Sequence, residues 1–89
     1  MAISIKEHMI ELLSLPKEVI LDLPQVILTG DHEVNIENYK NIIEYTESKV
    51  RINTKSGILI ITGSGLSLNQ ITAEYISVVG NLVKLEYQR

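Results

Sequence analysis

Few residues in this chain of 89 could do chemistry, and their spacing decides most of the question. Asp31-His32-Glu33 places three side chains able to ligate a metal in one row. Neighbours on an extended backbone point to opposite faces, so at most Asp31 and Glu33 could share an ion, and no further ligand follows at a recognisable spacing. A polar turn after Gly30 is the simpler account of the row. His8 and Glu11, one helical turn apart, could form an acid–base pair, but with His32 the only other histidine the pattern reads as a solvated face. Ser64 and Ser67 lack the glycine-flanked elbow of a nucleophilic serine, and two histidines leave little from which to assemble a triad. The run "TGSGLSL" resembles a phosphate loop only superficially. A dinucleotide fingerprint needs a third glycine and then a helix, whereas Leu68 stands in that position and the sequence beyond Gly65 alternates like a strand. Glu37, Glu44, Glu47, Glu74 and Glu86 are scattered, and four tyrosines with no Phe or Trp hardly furnish the aromatic walls of a sugar cleft. No catalytic, cofactor-binding or metal-binding residues are therefore assigned, and the chain is expected not to be an enzyme.

One polar stretch differs. In "IENYK", Asn38 follows strand-like Ile36 and precedes Tyr39 and Lys40. Asn tolerates left-handed backbone, so the stretch reads either as a turn with a tyrosine lid over the core or as a recognition loop of Glu37, Asn38 and Tyr39.

The elements that would position these residues are mostly strands. The apolar residues are overwhelmingly Ile, Leu and Val, and β-branched side chains favour extended backbone. The exception is the start, "SIKEHMIELLSLP". There Ser4 and Glu7 form a capping box, and Ile5, Met9, Leu12 and Leu13 make one stripe. Pro16 ends the pattern, which predicts a helix over 4–14, too short to persist without a dock. Beyond Pro24 the apolar period is two: Val34/Ile36, Val50/Ile52, Leu66/Leu68 and Val83/Leu85/Tyr87. Gly30-Asp31, Lys55-Ser56-Gly57, Gly63-Ser64-Gly65 and Gly80-Asn81 punctuate them as turns. The expected fold is mainly β: the short helix, then six to seven short, largely antiparallel strands.

Two features suggest how those strands assemble. Slid along itself, the sequence lays Ile27-Leu28-Thr29-Gly30 on Ile60-Ile61-Thr62-Gly63, then, after a one-residue deletion, Val34-Asn35-Ile36 on Leu66-Ser67-Leu68. Further on, Val50-Arg51-Ile52 meets Val83-Lys84-Leu85. This predicts two pseudo-repeated units, 26–53 and 59–87, as two similar sheets closing in a sandwich or roll within one domain over 1–89. In addition, Ile58, Leu59, Ile60 and Ile61 are apolar on both faces, so that strand is either central or in a subunit contact. With Met9 and Leu13 on the helix, these four form the candidate interface of a homo-oligomer.

Charge and length narrow the partners. A net charge of −3 with eight basic residues scattered among eleven acidic ones is not a nucleic-acid footprint. The absence of cysteine fits a reducing compartment, and no apolar run reaches the roughly 20 residues of a membrane-spanning helix. A cytoplasmic protein without direct membrane insertion is the expectation.

The order of Leu15-Pro16, Leu23-Pro24, Gly30, Ile36-Glu37-Asn38, Gly57 and Gly63 resembles the YabP/YqfC family of sporulation proteins from endospore-forming bacteria, and the YqfC branch most. The resemblance extends over nearly the whole chain, with Tyr39 standing where a histidine is expected after Ile-Glu-Asn. It implies a small protein of the mother cell needed for spore maturation, with no assigned catalytic activity or cofactor. It also implies a membrane protein of the same developmental programme as the natural partner.

Overall fold

A computed structural model describes residues 23–89. They form six strands: β1 (Gln25–Thr29), β2 (Glu33–Glu37), β3 (Tyr39–Tyr45), β4 (Lys49–Thr54), β5 (Gly57–Ile71) and β6 (Tyr75–Gln88). All belong to one sheet in the order β1-β2-β6-β5-β4-β3, and every pairing is antiparallel. The mainly β, antiparallel reading is therefore correct. The helix expected over 4–14 lies outside the described residues.

The alternation of the sequence sets the faces. Val34 and Ile36 of β2 pair with Val78 and Ile76 of β6, and Val50 and Ile52 of β4 pair with Ile61 and Leu59 of β5. These residues are at most 2% exposed. Paired residues share a face, so each set is one stripe of aliphatic side chains. With Leu66 and Leu82 they form a single buried cluster, against which Val26, Tyr39, Ile42, Leu68 and Leu85 pack. An isolated flat sheet would leave that face wet. Here both ends of the sheet contribute to one dry core, because the sheet coils over itself.

The coil is made in β5 and β6, and here the sequence reading needs correction. Gly63-Ser64-Gly65 and Gly80-Asn81, expected as turns between strands, lie inside two long strands of 15 and 14 residues. A run of glycine among apolar residues reads equally as a turn or as a bend, and close approach of two backbones selects the bend. A Cβ on Gly63 would lie 2.1 Å from the Asn81 carbonyl oxygen, and one on Gly80 would lie 2.8 Å from that of Gly65. Register shifts between Thr62/Gly63, Ser64/Ser67 and Leu68/Gln70 mark the same place, as bulges do where a sheet turns a corner.

The bend also replaces the expected repeat. β1 and β2 are separate strands of a hairpin, whereas their supposed counterparts are two halves of one strand, β5, so residues 26–53 and 59–87 are not equivalent units forming two sheets. The internal likeness in the structure relates two hairpins instead. β1–β2 and β3–β4 flank opposite ends of the long β5–β6 ribbon, with Val34-Asn35-Ile36 and Val50-Arg51-Ile52 in corresponding places. Their turns bond to the ribbon in the same way. Leu82 and Gly80 donate backbone N–H groups to the carbonyls of Asp31 and His32, and Leu66 and Gly63 donate to those of Glu47 and Ser48.

Candidate functional site

The 37–39 stretch joins β2 to β3, and Asn38 is the one non-glycine residue with positive φ, at 62°, among the described residues. Asn tolerates this region because its short amide can bond locally. The Asn38 Nδ2 donates to the Leu23 carbonyl at 3.1 Å, and its backbone N–H donates to that of Glu74 at 2.7 Å. Next to it, the Tyr39 ring packs on the core while its hydroxyl donates to the Thr72 carbonyl at 2.6 Å. Asn38 thus makes the turn, and the Tyr39 ring covers part of the core.

The turn between β5 and β6 stands opposite. Its chemistry is that of Thr72, whose Oγ1 accepts from the N–H groups of Glu74 and Tyr75. The sequence reading missed this turn. Its signal was a threonine placed to accept from backbone two and three residues on, the arrangement that Thr46 repeats before Ser48 and Lys49. Glu37 and Asn38 on one side and Thr72, Ala73, Glu74 and Tyr75 on the other line an open concavity of about 370 Å³. The lining residues carry two carboxylates (Glu37, Glu74), the Asn38 amide and the Thr72 and Tyr75 hydroxyls, beside turn backbone. Such a surface can accept hydrogen bonds from a cationic or amide-bearing group.

The other candidates disperse. His32 Nε2 lies 3.2 Å from Asp31 Oδ1 at a solvent-facing turn, while Glu33 turns away into β2 and accepts a hydrogen bond from the Ser77 hydroxyl at 2.9 Å. No group of three His, Asp or Glu side chains is placed to hold a metal among the described residues. Ser64 sits at the bend, where its Oγ accepts from Asn81 Nδ2 at 3.4 Å, and Ser67 is exposed. Glu44 pairs with Arg51 and Glu86 with Lys84, each at 3.3 Å. His8, Glu11, Met9 and Leu13 lie outside the described residues.

The apolar strand divides by face. β5 is central at this point, between β4 and β6, and Leu59 and Ile61 point into the core. They cannot lie in a contact with another subunit while the fold is intact, which corrects half of that candidate interface. Ile58 and Ile60 point the other way and are half-buried. Ile60 stands between Arg51 and Glu86, and Ile58 between Asn53 and Gln88. No helix among the described residues is long and apolar enough to cross a membrane.

The described residues form a small, all-antiparallel β sheet whose longest strands bend at glycines and whose polar groups serve turns and cross-strand pairs. The chain belongs to the YabP family, whose model matches residues 22–89. It is similar to an uncharacterized protein YqfC of Bacillus subtilis (strain 168), with 31% identity over 75 residues, 84% of this chain and 81% of that one.

Proposed function

We propose that this chain is a non-enzymatic assembly or adaptor component of spore maturation. It self-associates and works beside a membrane protein of the sporulation programme, in the mother-cell cytoplasm. The observation that carries this reading is the amount of aliphatic surface left outside a closed core. Ile27, Leu28, Ile43, Ile71 and Val83 are between 41% and 74% exposed. Exposed aliphatic side chains mark a surface for other proteins where they gather into one patch. This reading takes Ile27 and Leu28, adjacent on β1, as the centre of such a patch. The polar groups point the same way, since most are engaged in turns and cross-strand pairs. The developmental setting is what the resemblance to sporulation proteins implies.

The test is a pull-down from sporulating cells with a tagged copy, combined with light scattering on the purified protein. Recovery of a membrane protein together with untagged copies of this chain supports the reading. A strict monomer at tens of micromolar that recovers neither overturns it.

The concavity beside Glu37 and Asn38 favours a second reading, a small ligand-binding or regulatory module using the 31–39 loop. A screen of small cationic and amide ligands by chemical-shift perturbation decides it: shifts confined to Glu37, Asn38 and residues 72–75 support this reading, and an unperturbed spectrum removes it.

A further inference from the structure

A coiled, unclosed sheet has edges, and their backbone N–H and C=O groups invite further strands unless something blunts them. Four edge segments occur among the described residues. β3 is one, interrupted by register shifts between Tyr39/Asn41 and Ile42/Glu44 and carrying Lys40 and Glu44. The far half of β5 is another, broken by shifts at Ser64/Ser67 and Leu68/Gln70. The end of β6 is the third; it carries Lys84 and Glu86. Bulges and charges are the usual guards of an edge, and each of these three has at least one. β1 has neither. Its sequence QVILT is uncharged, and it pairs with β2 residue for residue from Gln25↔Glu37 to Thr29↔Glu33 without a shift. On its other side no strand lies among the described residues, and Ile27 and Leu28 are 48% and 54% exposed.

We infer that β1 is a self-recognition edge, at which a second copy of this chain adds its own β1 antiparallel about a two-fold axis at Ile27. The inference rests on the self-association proposed above and names its surface. Five residues paired about their centre set Ile27 against Ile27 of the second copy, Val26 against Leu28 and Gln25 against Thr29. Each pair is apolar with apolar or neutral polar with neutral polar, so the strand is complementary to itself. Val26 and Leu28 share the face of Ile36 and Val34, so pairing extends the apolar inner face from one molecule into the next. On the strand next to β1, Glu33 and Glu37 of β2 stand three strand spacings from their counterparts, roughly 14 Å, beyond the screening length at physiological salt. One five-residue strand buries little area, so the dimer is expected to be weak, dissociating in the micromolar range.

Two experiments on the full chain test this. The first compares sedimentation of the wild type and Ile27→Lys across concentrations up to about 300 µM. The expected result is a wild-type monomer–dimer equilibrium and at least about a tenfold weaker association in I27K, with an unchanged circular dichroism spectrum. A folded I27K that dimerises as tightly as wild type overturns the edge while leaving self-association standing. A wild type that is monomeric throughout overturns both. The second experiment does not depend on how I27K folds. The chain has no cysteine, so Ile27→Cys creates a single thiol. Directly opposed residues of an antiparallel pair lie about 5 Å apart at Cβ, near enough for a disulfide to close with small adjustment. Oxidation is expected to give covalent dimer faster from I27C than from Val83→Cys, whose parent side chain is 74% exposed. Equal or slower cross-linking of I27C overturns the inference.

Discussion

Gly63 approaches Asn81 so closely that a Cβ on the glycine would stand 2.1 Å from the Asn81 carbonyl oxygen. No side-chain motion relieves a clash with backbone, so Gly63→Ala must push β5 and β6 apart at the bend where the sheet begins to coil. Leu66 and Leu82, both in the core, flank this contact. We expect Gly63→Ala to cost about 3 kcal/mol or more, within the range of severe overpacking. Gly30→Ala is the control. Its φ is +54° but nothing lies within 4 Å of the added carbon, so only the left-handed penalty of about 1–2 kcal/mol applies. Urea denaturation of the two variants checks the order, and equal losses would show that the bend does not need its glycine.

Ile60 and Ile61 are neighbours on opposite faces of β5. Ile61 is fully buried, opposite Val50 and Leu85. Ile61→Asp places a carboxylate among aliphatics with no partner, and we expect no cooperative folding, since several kcal/mol of desolvation exceeds what a small domain can lose. Ile60 is half-buried on the outer face between Arg51 and Glu86. Ile60→Asp faces the Arg51 cation on one side and the Glu86 carboxylate on the other, two opposing effects at a solvent-accessible position. It should remain folded, losing about 1–2 kcal/mol of apolar burial. Circular dichroism with thermal melting separates the two. An I61D variant that melts cooperatively near wild type would refute the assignment of faces.

That division of faces shows what the sequence could and could not disclose. Val34/Ile36 and Val50/Ile52 alternate cleanly, sit in short regular strands and were legible as core from period alone. Val83, Leu85 and Tyr87 alternate just as well, yet Leu82 is the buried residue and Val83 is 74% exposed. The register shift at Thr62/Gly63 resets the phase of β6 relative to β5, and a bulge leaves no trace in hydrophobic period. The glycines were visible, but whether a glycine permits a turn or a close approach depends on the strand it meets. The same limit hid the concavity, because Glu37 and Glu74 are brought together by pairing of β2 with the start of β6, which no local pattern encodes. Asn38 was legible because its conformation is local.

Ser77 is fully buried, and its hydroxyl donates to Glu33 Oε2 at 2.9 Å across the β2–β6 pair. Two residues back along β6, Tyr75 donates its hydroxyl to Asn35 Oδ1 at the same length. The acceptor of Ser77 is a carboxylate and that of Tyr75 a neutral amide, and hydrogen bonds to charged groups contribute more. We expect Ser77→Ala to cost about 1.5–3 kcal/mol and Tyr75→Phe about 0.5–1.5 kcal/mol. Denaturant titration of both variants, and of the double variant, checks the order. A Tyr75→Phe loss exceeding that of Ser77→Ala would mean that the charge on Glu33 adds nothing to this bond.

Asn38 fixes the entry to β3 through two independent means, its left-handed backbone and its side-chain bond to the Leu23 carbonyl, and substitutions can separate them. Asn38→Gly accepts φ of 62° without strain and loses only the amide bond, an exposed contact of about 0.5–1 kcal/mol. Asn38→Ala loses the bond and adds the left-handed penalty, for about 2 kcal/mol in total. Asn38→Val adds β-branching against the backbone and should be the worst, above about 2 kcal/mol. The order Gly, Ala, Val in increasing loss, read from thermal midpoints, follows from backbone conformation. If Gly proves as damaging as Val, the amide bond to Leu23 rather than the left-handed turn is what holds the 37–39 stretch. The rank of one glycine variant therefore distinguishes a conformational requirement at this turn from a side-chain one.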